Sequence, residues 1–125
     1  MKQKRILLVE DEKLIARVYQ TALEKEGYQV DLAYDGQQAL SAINTCAYDL
    51  ILLDIILPYV DGFEIMQRKN KQGMCKDTPV IILSNLGQET DKAKGRELGV
   101  IYYLTKTECS LSDVVGIVNK VFAQA

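Results

Sequence analysis

The chain of 125 residues contains no histidine. This absence excludes every mechanism that needs an internal histidine, such as a Ser-His-Asp triad, a histidine-ligated zinc site or a phosphohistidine on the chain itself. Cysteine is scarce as well: Cys46, Cys75 and Cys109 lie far apart and form no CxxC pair. We therefore expect no disulfide framework, three small buried or half-buried side chains, and a reducing compartment.

Long apolar runs and an excess of basic charge are also missing. No stretch reaches the roughly 18 apolar residues of a membrane span. The apolar run at residues 6–9 is too short for a signal peptide, whose core needs roughly 7–15 residues. The formal net charge of -2 provides no basic field for nucleic acid or an anionic membrane. We expect one cytoplasmic domain over residues 1–125, with no membrane and no direct nucleic-acid contact.

Short apolar runs alternate with amphipathic stretches along the chain. The runs cover residues 6–9, 30–33, 50–53, 80–83 and 100–104. Most are continuous, which is typical of strands buried on both faces. The stretches between them have helical spacing, with Leu14, Ile15, Val18 and Ala22 on the apolar face of the first. Five strand–helix alternations predict an α/β fold, a parallel sheet with helices on both faces.

Two of the predicted helices have distinctive features. The fourth, from about residue 88 to 98, is the weakest, because it is rich in charge and contains Gly95. Glycine there suits either an element that rearranges or a close packing contact. The fifth begins at Leu111, and Ser110 is predicted as its N-cap.

Polar side chains stand at the ends of four predicted strands. Glu10 and Asp11 follow the first strand, Asp54 the third, Ser84 the fourth and Lys106 the fifth. Ligands bind outside the carboxyl ends of strands in an open α/β sheet, so these side chains are candidates for one site. Each also has an ordinary structural explanation. Asp54 and Ser84 suit turns, Asp11 can cap the first helix, and most lysines are solvated.

The charge balance of such a site indicates a metal. If three carboxylates lie about 5 Å apart, each pair repels by about 3 kcal/mol at an effective dielectric of about 20. Lys106 offsets only part of this, and a divalent cation would neutralise the remainder. Ligand sets made only of oxygen favour Mg²⁺. A metal, an ammonium group and a hydroxyl around one carboxylate suit phosphoryl transfer, with Asp54 itself as the acceptor.

Four segments together resemble the response-regulator receiver domain of two-component signalling. They are ILLVEDE at the first strand, DLILLDIILPYVDGFE around the third, TPVIILSN at the fourth and YYLTKT at the fifth. The resemblance covers nearly the whole chain, from about residue 5 to 122. It implies a flavodoxin-like, doubly wound sheet of five parallel strands in the order 2-1-3-4-5, with five helices. It also implies a stand-alone, phosphorylation-dependent switch rather than an enzyme in the usual sense.

The resemblance implies a metal and an acceptor at the strand ends. Asp54 matches the aspartate that the family phosphorylates. Glu10, Asp11, Asp54 and the backbone carbonyl of Ile56 match the residues that hold Mg²⁺. The acidic pair is Glu-Asp rather than Asp-Asp, so direct or water-mediated contact between Glu10 and the metal stays open.

The resemblance also implies a switch. Ser84 and Lys106 match the residues that bind the phosphoryl oxygens, and Tyr103 matches the aromatic residue that turns inward when Ser84 moves. As an alternative, Tyr103 is simply a core or edge aromatic. Thr107 follows Lys106 where the family often has proline, and whether this peptide is cis stays open.

The partners follow from the same resemblance. The phosphoryl group would come from a sensor histidine kinase or a histidine phosphotransfer protein. The face formed by the fourth helix, the fifth strand and the fifth helix would then change. That change would control a downstream target protein or allow the chain to form a homodimer.

Two apolar residues bear on how long the phosphoryl group lasts. Ile56 and Leu86 stand two residues after Asp54 and Ser84, where many relatives are polar. Branched apolar groups there would hinder an attacking water, so we predict slow self-dephosphorylation.

Three other functions remain as alternatives. A Mg²⁺-dependent phosphatase with an aspartyl nucleophile usually needs a second acid at the position of Ile56. A flavin- or nucleotide-binding module is disfavoured because the chain has no glycine-rich phosphate motif. A receiver that has lost phosphorylation is disfavoured by the complete set of acids, hydroxyl and lysine.

Overall fold

Five strands alternate with five α-helices over residues 3–124, which are the residues that this computed structural model describes. The order is β1 Arg5–Val9, α1 Lys13–Lys25, β2 Gln29–Ala33, α2 Gly36–Thr45, β3 Leu50–Leu53, α3 Gly62–Gln72, β4 Val80–Ser84, α4 Glu89–Glu97, β5 Tyr102–Thr105, a 3-10 helix Lys106–Glu108 and α5 Leu111–Ala123. All neighbouring strands pair in parallel, in the order β2-β1-β3-β4-β5. The predicted flavodoxin-like topology is therefore confirmed.

The sheet separates two hydrophobic layers. Leu7 and Val9 of β1 pack with α2 and α3 on one face, whereas Ile6 and Leu8 pack with α1 and α5 on the other. Successive side chains of a strand point to opposite faces, so a strand with both faces covered must be apolar at every position. The four residues of β3 are each 0 % exposed. This arrangement is the reason that the apolar runs are continuous.

The fifth strand begins later than predicted. β5 starts at Tyr102, and the two apolar residues before it belong to the connection from α4. The backbone N–H groups of Gly99 and Val100 bond to carbonyls of Arg96 and Gly95 and complete the end of α4, whereas the N–H of Ile101 bonds to the carbonyl of Val80 in β4 at 2.9 Å. Val100 is buried in that connection, where its apolar side chain resembles the start of a strand.

The glycine within α4 is explained by packing. A Cβ at Gly95 would lie 2.9 Å from Cδ2 of Tyr103 and 3.2 Å from Cδ1 of Ile82. The helix therefore approaches β5 and β4 so closely that any side chain at this position would have to displace the Tyr103 ring. The N-cap of α5 is also as predicted, with the hydroxyl oxygen of Ser110 accepting from the backbone N–H of Asp113 at 3.0 Å.

Two of the cysteines form a pair, and the expectation of three unpaired cysteines is wrong. Cys46 and Cys75 have their Cα atoms 5.0 Å apart and their Sγ atoms joined. They are 29 positions apart in sequence, but α2 and α3 lie side by side on the same face of the sheet and bring them together. Cys75 is buried as expected, Cys109 is half-buried and unpaired, and Cys46 is exposed.

No helix within residues 3–124 is long and apolar enough to cross a membrane. The longest, α1 and α5, have 13 residues each, against the roughly 20 that a span requires.

Candidate functional site

Three carboxylates meet at the carboxyl ends of β1 and β3. Glu10, Asp11 and Asp54 each offer an oxygen within 4.8 Å of the other two. The backbone N–H of Glu10 bonds to Ala33 and that of Asp54 to Val9, so both residues continue the sheet by one position. Glu10 is 2 % exposed and Asp54 is 6 % exposed, whereas Asp11 faces solvent. The parallel register of β1 and β3 is what brings these acids together.

A lysine from the end of β5 bridges two of the acids. The ammonium group of Lys106 donates hydrogen bonds to Oε1 of Glu10 and, at 2.8 Å, to Oδ2 of Asp54. Burial alone would lower the pKa of Lys106, but its bonds to Asp54 and Glu10 outweigh burial and raise it. Burial raises the pKa of Glu10, although the bond from Lys106 offsets part of that effect. Lys106 is therefore held as a cation between two carboxylates.

The donor set fits a divalent cation. Three ionised carboxylates and one ammonium group leave a formal charge of -2 in the pocket. At 4.8 Å each pair of carboxylates repels by about 3 kcal/mol at an effective dielectric of about 20. All the available ligand atoms are oxygens, which suits Mg²⁺. The structure therefore supports Glu10, Asp11 and Asp54 as residues that could hold this ion.

The turn after Asp54 is tightly constructed. The backbone N–H of Ile56 donates to Oδ1 of Asp54 at 3.1 Å, so this carboxylate caps the turn with one oxygen and contacts Lys106 with the other. A Cβ at Gly62 would lie only 2.5 Å from the backbone oxygen of Asp54, so only glycine allows α3 to begin this close to Asp54. Asp54 therefore caps a turn, as its structural explanation predicted, and also belongs to the acidic pocket.

The helix-capping explanation for Asp11 is wrong. The N-cap of α1 is Glu12, whose side chain makes no capping hydrogen bond, and the first turn of α1 holds no acid. The chain bends at Asp11, and the backbone N–H of Glu12 donates to Oε2 of Glu10 at 3.2 Å across that bend. Asp11 is therefore exposed at the pocket rather than engaged with the helix.

Ser84 and Tyr103 are linked through one backbone segment. Ser84 is fully buried, and its hydroxyl oxygen accepts from the N–H of Leu86 at 3.3 Å. The hydroxyl of Tyr103 donates to the carbonyl of the same Leu86. Burial, together with the nearby Asp91, raises the pKa of Tyr103 to about 12, which keeps the phenol protonated as a donor. Sequence reasoning missed this link, because backbone groups carry no signature in the sequence.

The ring of Tyr103 is half-buried against the hydrophobic layer of α2 and α3. Its packing therefore agrees with the alternative of a core aromatic, while its hydroxyl reaches the connection after β4. The structure thus gives one side chain both features.

Two further predicted residues lie near the mouth of the pocket. Ile56 is 57 % exposed and Leu86 is half-buried. The Lys106–Thr107 peptide is trans, as is every peptide bond within residues 3–124. Lys106 begins the 3-10 helix that leads to α5.

An apolar rim borders the site on the side of α1 and α5. Leu14 is 84 % exposed, Val18 54 % and Leu111 37 %, and together with Lys106 and Thr107 they line one cavity. Leu14 and Val18, which share the predicted apolar face of the first helix, are therefore exposed and not part of the core. The buried side chains of α1 are Ala16, Tyr19 and Leu23.

The fold and the acidic pocket together define a class of protein, the flavodoxin-like α/β domains with a carboxylate cluster and a lysine at the carboxyl edge of the sheet. The family model for the response regulator receiver domain matches residues 6–119. The chain belongs to this family, whose members are phosphoryl-accepting switches of two-component signalling.

Individual proteins agree with this assignment. The chain is 46% identical over 102 residues to the transcriptional regulatory protein DltR of Streptococcus agalactiae, covering 82% of this chain and 45% of that protein. It is 41% identical over 103 residues to the alkaline phosphatase synthesis transcriptional regulatory protein PhoP of Bacillus subtilis, covering 82% and 42%. Among solved structures, the receiver domain of the Francisella response regulator 1452 superposes with a TM-score of 0.88 at 36% identity, covering 98% of both chains.

The chain spans less than half the length of these two curated relatives. Both are named transcriptional regulatory proteins, which runs against the expectation that the protein makes no direct contact with nucleic acid. That expectation came from the net charge of this chain alone, and the charge of one domain carries no information about residues beyond it.

Proposed function

We propose that the protein is a switch that accepts a phosphoryl group on Asp54 in a Mg²⁺-dependent reaction with a partner phosphohistidine. The observation that carries the proposal is the bridge from Lys106 to Glu10 and Asp54, with Asp11 completing three carboxylates within 4.8 Å. A carboxylate oxygen of Asp54 forms the new bond to phosphorus as the bond from phosphorus to the partner's imidazole nitrogen breaks. The chain contains no histidine, so a phosphohistidine donor would belong to another chain.

Each pocket residue has a defined part in this proposal. Glu10, Asp11, Asp54 and the backbone carbonyl of Ile56 would hold Mg²⁺, which supplies positive charge to the oxygens of the transferred group. Lys106 would provide a second positive charge to that group, because its ammonium group already contacts the Asp54 carboxylate. Positioning and charge neutralisation are the main requirements of phosphoryl transfer.

The signal would leave the site through Ser84. A hydroxyl that turns toward a phosphoryl group on Asp54 stops accepting from the N–H of Leu86, and the carbonyl of Leu86 holds the hydroxyl of Tyr103. Tyr103 packs on Gly95 of α4, so its movement changes the contact between α4 and β5. We propose that the α4–β5–α5 face then binds a downstream target protein or a second copy of this chain, in the cytoplasm.

The test is intact mass spectrometry of the wild-type protein with acetyl phosphate. We expect one adduct of about 80 Da when Mg²⁺ is present and none when EDTA removes it. Without the ion the pocket keeps its charge of about -2 and repels the donor. An adduct of the same yield in EDTA would contradict the metal-dependent mechanism.

The apolar rim formed by Leu14, Val18 and Leu111 suits the docking of the phosphodonor protein. These residues line the same cavity as Lys106, which contacts Asp54 directly. A partner that delivers a phosphoryl group to Asp54 must cover this edge of the sheet, and exposed Leu and Val side chains there would be buried by the contact. Burial of one such side chain stabilises a complex by roughly 1.5–3 kcal/mol.

We expect Leu14→Glu to slow transfer from an autophosphorylated sensor kinase by at least about tenfold, because it places a charge in the buried contact. Transfer from acetyl phosphate should be unchanged, since a small donor needs no docking surface. Candidate kinases are screened with the wild-type chain to find the donor, and rates are then compared. Ile101→Glu is the matched control, because Ile101 is an exposed aliphatic residue outside the rim. Equal slowing with both donors would show damage to the pocket rather than loss of docking.

The phosphoryl group should be long-lived because Ile56 is apolar. We expect Ile56→Asn to shorten the half-life of the phosphorylated protein by at least severalfold, since the amide can hydrogen-bond an attacking water. The half-life is measured by the decay of the adduct after the donor is removed. Ile101→Asn makes the same exchange at an exposed site away from Asp54 and should leave the half-life unchanged. An unaltered half-life in Ile56→Asn would rule out this account.

A further inference from the structure

The cysteine pair lies at the edge of the sheet opposite the acidic pocket. Cys46 is the C-cap of α2, four residues before β3, and Cys75 lies in the connection between α3 and β4. Their Cα atoms are 5.0 Å apart, within the roughly 4.4–6.8 Å that a disulfide requires. The pair can therefore form a bond without a backbone movement.

The backbone at both positions is unusual. Cys46 has φ 52° and Cys75 has φ 49°, in the left-handed region that residues other than glycine seldom adopt. The other described non-glycine residue with a positive φ is Tyr59, at φ 68° in the turn after Asp54. Cys46 adopts this conformation as the C-cap of α2, where its backbone N–H bonds to the carbonyl of Ile43, and Cys75 adopts it in the connection after α3.

The surroundings of the two sulfur atoms also suit a reduced pair. Sγ of Cys75 lies 3.1 Å from the carbonyl oxygen of Ile43, which would accept a hydrogen bond from a Cys75 thiol in the reduced protein. Cys75 is 4 % exposed, whereas Cys46 is open to solvent. One thiol is accessible to a reagent, and the other is buried within reach of the first.

We propose that Cys46 and Cys75 form a reversible dithiol–disulfide site that reacts with small disulfides such as oxidised glutathione. The thiolate of Cys46 attacks one sulfur of oxidised glutathione, and one molecule of glutathione leaves as thiolate. The thiolate of Cys75 then attacks Sγ of Cys46, the mixed disulfide breaks, and the second glutathione leaves. The two cysteines are oxidised, oxidised glutathione is reduced, and the two protons are taken up by the departing thiolates.

The bond would close a ring around the acceptor segment. The chain between Cys46 and Cys75 contains β3, Asp54 and α3. A cross-link over a sequence separation of 29 restricts the unfolded chain and is expected to raise the melting temperature by about 10 °C. Asp54 is at the opposite edge of the sheet, so the bond leaves the acidic pocket itself untouched.

The experiment compares four proteins after incubation in glutathione buffers: wild type, Cys46→Ser, Cys75→Ser and Cys109→Ser. Thiols are counted by alkylation and mass spectrometry, the cross-linked peptide is sought in a non-reducing digest, and melting is followed by circular dichroism. Cys109→Ser is the matched control, because Cys109 lies outside the pair. Cys46→Ser is the variant expected to fold normally, since Cys46 is exposed and its replacement leaves no cavity.

We expect wild type and Cys109→Ser to lose two thiols, yield a peptide linking residues 46 and 75, and melt about 10 °C higher than after treatment with dithiothreitol. Cys46→Ser and Cys75→Ser should show no change in melting. Persistent glutathione on Cys46, cross-linking between molecules, a linked pair that dithiothreitol cannot reduce, or a linked pair with unchanged melting would each overturn the proposal.

Discussion

Asp54→Asn should take up no phosphoryl group from acetyl phosphate under conditions in which the wild-type protein gains about 80 Da. The substitution replaces the nucleophilic carboxylate with an amide of nearly the same shape, so we expect the rate to fall by at least about 1,000-fold. Neighbouring acids cannot substitute for it. Glu10 is held by Lys106 and by the N–H of Glu12, and Asp11 is exposed outside the reach of that lysine's hydrogen bonds.

The matched control is Asp77→Asn, which makes the same chemical change at an exposed position in the connection before β4. It should be phosphorylated like the wild type. Circular dichroism and thermal melting of both variants establish that each is folded. An adduct in Asp54→Asn that a peptide map places on another residue would remove the basis of the proposed function.

Lys106→Met should destabilise the protein by about 3 kcal/mol, measured by urea unfolding in EDTA. Its ammonium group is the cation that contacts both Glu10 and Asp54, whose side chains are only 3% and 7% exposed. Removal of one partner from a buried charge cluster leaves the remaining charges uncompensated. Methionine retains most of the length of the aliphatic stem, so the loss reports on charge more than on packing.

Mg²⁺ should restore part of that stability, because the ion replaces the missing positive charge between the same carboxylates. The double variant Lys106→Met/Asp54→Asn should lose less stability than Lys106→Met alone, since it also removes one of the two carboxylates that have lost their cation. Lys25→Met, at an exposed position near the end of α1, serves as the control and should remain close to wild type. If Lys106→Met is as stable as wild type, then Lys106 does not neutralise the pocket.

Much of the fold could be predicted from local patterns, because the two core layers require apolar residues at regular positions along the chain. Residues 50–53 are apolar at every position since both faces of β3 are covered. The capping hydroxyl of Ser110 was also predictable, because an N-cap bonds to a backbone group only three residues away. Where a pattern arises from a strand or helix itself, one sequence suffices.

The errors occurred where a local pattern had more than one physical cause. Val100 is apolar because it packs at the end of α4, yet it was predicted to begin the fifth strand. Leu14 and Val18 follow the apolar spacing of a helix, and they form the exposed rim beside Lys106. Apolar spacing indicates a surface that avoids water, and it does not distinguish the core from a surface that a partner would cover.

The order of chemical groups along the chain was determined by the sequence alone: acids after the first and third strands, a hydroxyl after the fourth and a lysine after the fifth. Only the tertiary structure decided that Lys106 contacts both Glu10 and Asp54, that Leu86 connects Ser84 with Tyr103, and that Cys46 meets Cys75. Most of these contacts join residues from separate strands and helices, and the two hydrogen bonds at Leu86 use backbone atoms, which carry no signature in the sequence. Their distances depend on sheet register and helix packing, which arise from the whole core rather than from any short segment.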